Sequence, residues 1–148
     1  MGSISNGWKI DYQKFQIYLK EKYRVDKAYY FIGYFSEKED KLYKKLNNSG
    51  FILFFKNHNP QMNSLKKGNV DSDIIFNIMK LIAENVQFEK IILVSGDGDY
   101  KNTVDYLIYK KKLEKILFPT KNSSSLYKNL SSMKFDYINN FKKYIEYK

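Results

Sequence analysis

Asp97 and Asp99 stand two residues apart in the stretch Ser95-Gly96-Asp97-Gly98-Asp99-Tyr100, directly after the apolar run Ile91-Ile92-Leu93-Val94. Two carboxylates at that spacing suit a hard divalent cation, which prefers oxygen ligands and keeps several waters when bound as Mg²⁺. Near a phosphodiester, such a cation lowers the pKa of an attacking water and neutralises charge on the leaving oxygen. A third carboxylate comes from an earlier segment, Val70 to about Asn85, whose helical face is set by Ile74, Ile75, Ile78 and Ile82. Asp71 lies three residues before Ile74 and seven before Ile78, in the middle of that face, whereas Asp73 falls nearly opposite, toward solvent. An inward carboxylate needs a partner, and a cation serves. The competing account is plain helix chemistry. Acids near a helix N-terminus gain roughly 0.3–1 kcal/mol from the macrodipole, and Asp99 could cap the helix that follows. Asp97, between two glycines at a strand end, has the least structural reason to be acidic. Asp73 and Ser95 are secondary candidates.

Other chemistries fail on residue type. An EF-hand would need a ligand at Lys101 and a glutamate at Ile108, and the DxDxT phosphatase pattern would need threonine at Lys101. No glycine-rich phosphate loop ending in Gly-Lys-Ser/Thr and no nucleophile elbow occurs. The single histidine, His58, precedes a proline by two residues in a polar stretch and reads as a turn residue. There is no cysteine, so disulfides, zinc thiolates and thiol nucleophiles are excluded, in keeping with a reducing, cytoplasmic setting. The formal charge of +10 comes almost wholly from lysine, Arg24 being the lone arginine. Such a surface favours polyanions, although an A/T-rich coding sequence would also enrich Lys, Asn, Ile, Tyr and Phe together. No apolar run approaches membrane length, and the first residues lack a basic-then-apolar leader pattern.

The elements that must place these acids alternate between helical and strand periods. Asp11 is expected to cap a helix to about Tyr23, with Phe15, Leu19 and Tyr23 on one face. Ala28–Tyr34 reads as a strand. Ser36 and Glu39 have capping-box spacing for a helix carrying Leu42 and Leu46, stopped at Gly50, and Phe51–Phe55 reads as a second strand. A long polar connection from Lys56 to about Asn69 holds His58, Lys66 and Lys67, and loops of that length are often functional. Ile91–Val94 reads as a strand buried on both faces, left by a sharp turn at Gly96 and Gly98. A helix from Asp99 to about Lys112, a strand at Lys115–Phe118, a helix capped within Ser123–Ser125 and carrying Leu126 and Leu130, and a short strand at Phe135–Ile138 complete the pattern. At 148 residues, with no linker or repeat, this is expected to be one α/β domain over 1–148.

Lys67-Gly68-Asn69-Val70-Asp71-Ser72-Asp73-Ile74, followed by Ile91–Val94 and Ser95-Gly96-Asp97-Gly98-Asp99-Tyr100, resembles the NYN domain, and within it the LabA-like branch of the PIN-like nucleases. The likeness runs from Gly7-Trp8-Lys9-Ile10-Asp11-Tyr12 to the Ser125-Leu126 segment. It implies a three-layer, Rossmann-like (PIN-like) parallel sheet flanked by helices, and RNA cleavage dependent on Mg²⁺ or Mn²⁺. It implies metal and catalytic roles for Asp71, Asp97 and Asp99, and a basic position at Lys67; Lys66 and Lys67 would then hold RNA phosphates as point charges. Two departures accompany the likeness. The family opens with a central strand ending in Asp-Gly-x-Asn, and this chain enters the pattern after that element: either the sequence is truncated, or a partner chain or homo-oligomer supplies the strand, or the chain is a degenerate relative. Asn77 stands where the family often has an acid, making it a weaker secondary candidate. The alternative functions are a catalytically degenerate RNA-binding or oligomerising module and, third, a small-molecule phosphohydrolase.

Overall fold

Two strand–helix–strand crossovers organise the chain in the computed structural model, which describes residues 7–56 and 70–148. The chain divides into two compact units, Asp11–Phe76 and the remainder, with the segment up to Ile10 joining the latter. Both are α/β, with parallel strands flanked by helices.

The first unit begins with α1 (Tyr12–Tyr23), capped as expected by Asp11, whose carboxylate accepts from the backbone N–H groups of Gln13 and Lys14 at 3.0 and 3.2 Å. Phe15 and Leu19 are buried on its inner face. Arg24, in the left-handed region, closes the helix by donating to the carbonyls of Leu19 and Lys20. Strand β1 (Tyr29–Gly33) and strand β2 (Ile52–Phe55) pair in parallel around α2 (Asp40–Asn48). The capping box expected at Ser36 and Glu39 does not form. A 3₁₀ turn over Glu37–Glu39 precedes α2, and the Ser36 N–H donates instead to the Tyr43 hydroxyl at 3.1 Å. Gly50 does end the helical segment, at φ +95°, a conformation that a side chain would strain. Tyr12, Tyr30 and Phe51 meet edge to face with centroids 5.8–6.0 Å apart, so aromatic rings fill much of this core. Burial pushes the Tyr30 hydroxyl far above the ordinary phenol range, and its hydrogen bond to Tyr12 adds to the effect.

In the second unit, β3 (Ile91–Val94), β4 (Leu113–Phe118) and β5 (Phe135–Tyr137) form a parallel sheet in that order. β4 is central, and Leu113, Ile116, Leu117 and Phe118 are almost wholly enclosed. β3 matches the expected strand residue for residue, yet only Leu93 is buried. The reason is position: β3 is an edge strand of this sheet, covered less completely than its composition suggests. Helix α4 (Lys101–Tyr109) returns the chain from β3 to β4 and buries Val104 and Leu107. It is shorter than expected, because residues Gly98–Tyr100 form a 3₁₀ turn and Lys110 already caps its end. The helix expected after Ser123–Ser125 is likewise reduced to a single 3₁₀ turn, Ser125–Tyr127. Ser131 caps another such turn, Ser132–Lys134, because serine side chains compete for backbone N–H groups and break a continuous helix. The lysine- and tyrosine-rich tail is anchored by Ile138, Phe141 and Ile145, the last in α5 (Lys142–Ile145), and by an antiparallel bridge between Ile10 and Glu146.

Candidate metal centre

Where β3 ends, a set of short hydrogen bonds fixes the chain. The Ser95 N–H still donates to the Leu117 carbonyl at 3.1 Å, so the turn starts from a strand end held against central β4. The Ser95 hydroxyl accepts from the Asp97 N–H at 3.1 Å. Asp97 then accepts from the Asp99 N–H through Oδ1 at 2.9 Å, capping the 3₁₀ turn Gly98–Tyr100. Asp97 therefore does have a structural role, and it is Asp97 rather than Asp99 that caps. Ring burial at Tyr100, 2 % exposed, pins the far side of the turn. Both carboxylates remain exposed.

A second segment braces the same turn. The Ser124 N–H donates to the Gly96 carbonyl at 2.9 Å, and the Tyr127 hydroxyl donates to the Asp97 carbonyl at 2.6 Å. Burial, together with the negative charges of Asp97, Asp105 and Asp99, pushes the Tyr127 hydroxyl up to about 12, which keeps it a donor. The glycines act differently from the expected sharp turn, since neither Gly96 nor Gly98 has positive φ. Gly98 sits in a tight place: a Cβ there would lie 2.7 Å from Ser124 Oγ and 2.8 Å from Leu126 Cδ1, so both side-chain ends would have to turn aside. At Gly96 the closest atom would be the Ser123 Cα at an ordinary 3.5 Å.

Asp71 is half-buried in the first turn of α3 (Asp71–Ala83), where the helix N-terminus favours negative charge. Among the described residues, Asp71, Asp97 and Asp99 form an acidic group: one carboxylate oxygen from each lies within 4.8 Å of the others. Three hard oxygen donors with that spread fit a hard divalent cation, whose opposed ligands lie roughly 4–5 Å apart at bond lengths of about 2.0–2.6 Å. Because only Oδ1 of Asp97 serves the cap, its second oxygen remains for a ligand.

The remaining candidates separate. Asp73 does not simply face solvent. It pairs with Lys56 at 2.8 Å, and its carboxylate is partly covered. Asn77 is half-buried one turn further along α3, and Ser95 serves the turn through its hydroxyl. Lys66, Lys67 and His58 lie outside the described residues. Tyr127 and Ser124 are the residues that sequence reasoning missed as parts of the turn. Ser124 lay within a recognised capping cluster, whereas Tyr127 is thirty positions from Asp97 and carries no local signal.

The NYN domain family matches residues 2–138, and the chain belongs to that family, which places it within the PIN-like nuclease superfamily. Proteins of this family are nucleic-acid related. A crystal structure of a Vibrio parahaemolyticus protein of unknown function is similar to this chain with a TM-score of 0.69 at 20% identity. The similarity covers 95% of this chain and 85% of that one, and it supports the shared fold. No functionally curated protein matches the chain. No helix among the described residues is long and apolar enough to cross a membrane.

Proposed function

We propose that this NYN domain is a divalent-metal-dependent ribonuclease in which Asp97, Asp99 and Asp71 hold Mg²⁺ or Mn²⁺. The observation that carries the reading is the acidic group itself, three carboxylate oxygens within 4.8 Å on a nuclease-superfamily fold. When bound, the cation supplies positive charge that neutralises a phosphodiester and eases loss of a proton from an attacking water. The chain's own contribution is placement. Asp97 and Asp99 are held on one turn by the Ser95, Ser124 and Tyr127 hydrogen bonds, so little reorganisation is needed when charge develops. Lys66 and Lys67 are proposed to bind flanking phosphates on charge and sequence position alone. A cytoplasmic location is part of the same reading and fits the lack of cysteine.

The test is cleavage of a fluorescent RNA with Mn²⁺ or Mg²⁺ and with EDTA. Asparagine at position 97 can still accept the Asp99 N–H but carries no charge. Asp97→Asn should therefore keep the fold and cut the rate by about 100-fold or more. Undiminished cleavage by that variant would refute the assignment. One observation favours a second reading, a non-catalytic RNA-binding module: Asp97 already has a capping role. Salt-sensitive RNA binding in EDTA with no turnover at any metal concentration would establish it.

A further inference from the structure

A cavity of about 390 Å³ opens beside the carboxylate turn, between one face of α4 and the segment after the Ser125–Tyr127 turn. Lys101, Asp105 and Ile108 line it from the helix, at positions that helical spacing puts on one face. Leu126, Asn129, Ser131, Met133 and Lys134 line it from the other side. We propose that this cavity seats one nucleotide of single-stranded RNA next to the scissile phosphate. The proposal rests on the ribonuclease reading for its substrate class, but not for its geometry.

Four observations favour that occupant. The first is continuity: Leu126, in the cavity wall, packs against Gly98, with its Cδ1 2.8 Å from where a Cβ would stand, so the cavity adjoins the turn bearing Asp97 and Asp99. The second is apolar surface left open to solvent. Leu126 is 56% and Met133 78% exposed, and branched apolar and polarizable thioether side chains of this kind can cover the face of a base through dispersion contacts. The third is a polar edge. The Asn129 amide offers both donor and acceptor, and the Ser131 hydroxyl, which accepts from the Met133 N–H, keeps its own proton to donate. The fourth is charge. Lys134 donates to the Leu113 carbonyl at 2.9 Å and Lys101 to both oxygens of Asp105 at 2.6 Å. Each ammonium has three donors, so protons remain for a phosphate, and two lysines against one aspartate leave the wall cationic. The volume is at the small end of the roughly 300–1,000 Å³ typical of ligand sites, the scale of one nucleotide rather than a duplex.

The experiment uses the full chain in EDTA, where no hydrolysis occurs, with hexamers of uridine and of adenosine as probes. Binding is followed by methyl NMR of Met133 and Leu126 and by fluorescence anisotropy. Saturable shifts of both methyls are expected, with Leu126→Ala and Asn129→Ala each weakening binding by about threefold or more. A native methyl spectrum of the free variants shows that they fold. RNA binding that leaves both methyls unmoved, or that both variants retain in full, would overturn the proposal. So would methyl shifts driven by protein concentration alone, which would assign the cavity to a second copy. Because EDTA silences catalysis, failure here leaves metal-dependent cleavage untouched, and failure of cleavage leaves this binding test intact.

Discussion

Gly98 and Gly96 look equivalent in the sequence, yet the atoms around them differ. A methyl at Gly98 would press on Ser124 Oγ and Leu126 Cδ1 at under 3 Å, whereas a methyl at Gly96 would make ordinary contact. Gly98→Ala should therefore cost about 1 kcal/mol in urea denaturation, because turning Ser124 aside disturbs its cap on the Leu126 N–H, and Gly96→Ala less. Equal effects would show that backbone freedom rather than space governs the turn. Tyr127→Phe removes the donor to the Asp97 carbonyl and should cost about 1 kcal/mol at neutral pH. Its pH signature has a definite sign. The folded-state value of about 12 lies above the ordinary 10, so this contribution is complete below pH 10 and is lost as pH rises through 10 to 12. Over that window the wild type should lose more stability than Tyr127→Phe, as chemical denaturation at stepped pH would record. Asp97 and Asp99 stand out because Asp-Gly-Asp after an apolar run is a local pattern, and Asp71 because helical spacing puts it on the face of Ile74 and Ile78. Tyr127 does not, since a hydrogen bond across thirty residues leaves no mark on spacing.

At the scale of elements, local chemistry decided which expectations held. Asp11 caps α1 with two hydrogen bonds as its sequence position implied, and Asp11→Ala should lower stability by about 1 kcal/mol in thermal or urea unfolding. No loss would mean that the tertiary packing of Phe15 and Leu19 alone holds that helix. Ser36 and Glu39 have equally good capping spacing, but the nearby Tyr43 hydroxyl takes the Ser36 N–H and the box does not close. Long-range partners of that kind are invisible to a spacing rule. The strands were legible to within a residue or two, because runs such as Ile91–Val94 and Phe51–Phe55 are apolar and bounded by polar residues. Their burial was less legible. Composition alone makes Ile91–Val94 resemble a central strand, whereas sheet order gives that position to Leu113–Phe118. Helix lengths after Asp99 and Ser123 were overestimated, because each segment spends its first residues in a 3₁₀ turn closed by side-chain caps.

For the molecule as a whole, the formal charge of +10 is the property most directly coupled to the proposed substrate. Charge of this size could reflect coding bias, and salt dependence separates that from a working polyanion surface. If lysines neutralise about three phosphates of single-stranded RNA, affinity should fall about twentyfold between 50 and 200 mM salt. Affinity that is flat over this range would leave the charge without a role in binding. The α/β class and the NYN family were both legible in the sequence, the latter because its acidic blocks are contiguous and lie in the expected order. Which strands pair was not, because the pairing of β1 with β2 and of β3, β4 and β5 is set by contacts between distant residues and leaves no mark on composition.

Three negative side chains gathering around one positive ion underlie the proposed activity, and titration of Mn²⁺ followed by electron paramagnetic resonance tests that directly. The wild-type chain should quench the free-ion signal with a stoichiometry near one, and Asp97→Asn and Asp99→Asn should each bind at least about tenfold more weakly while remaining folded. Equal Mn²⁺ uptake by wild type and both variants, or none by wild type, would contradict it.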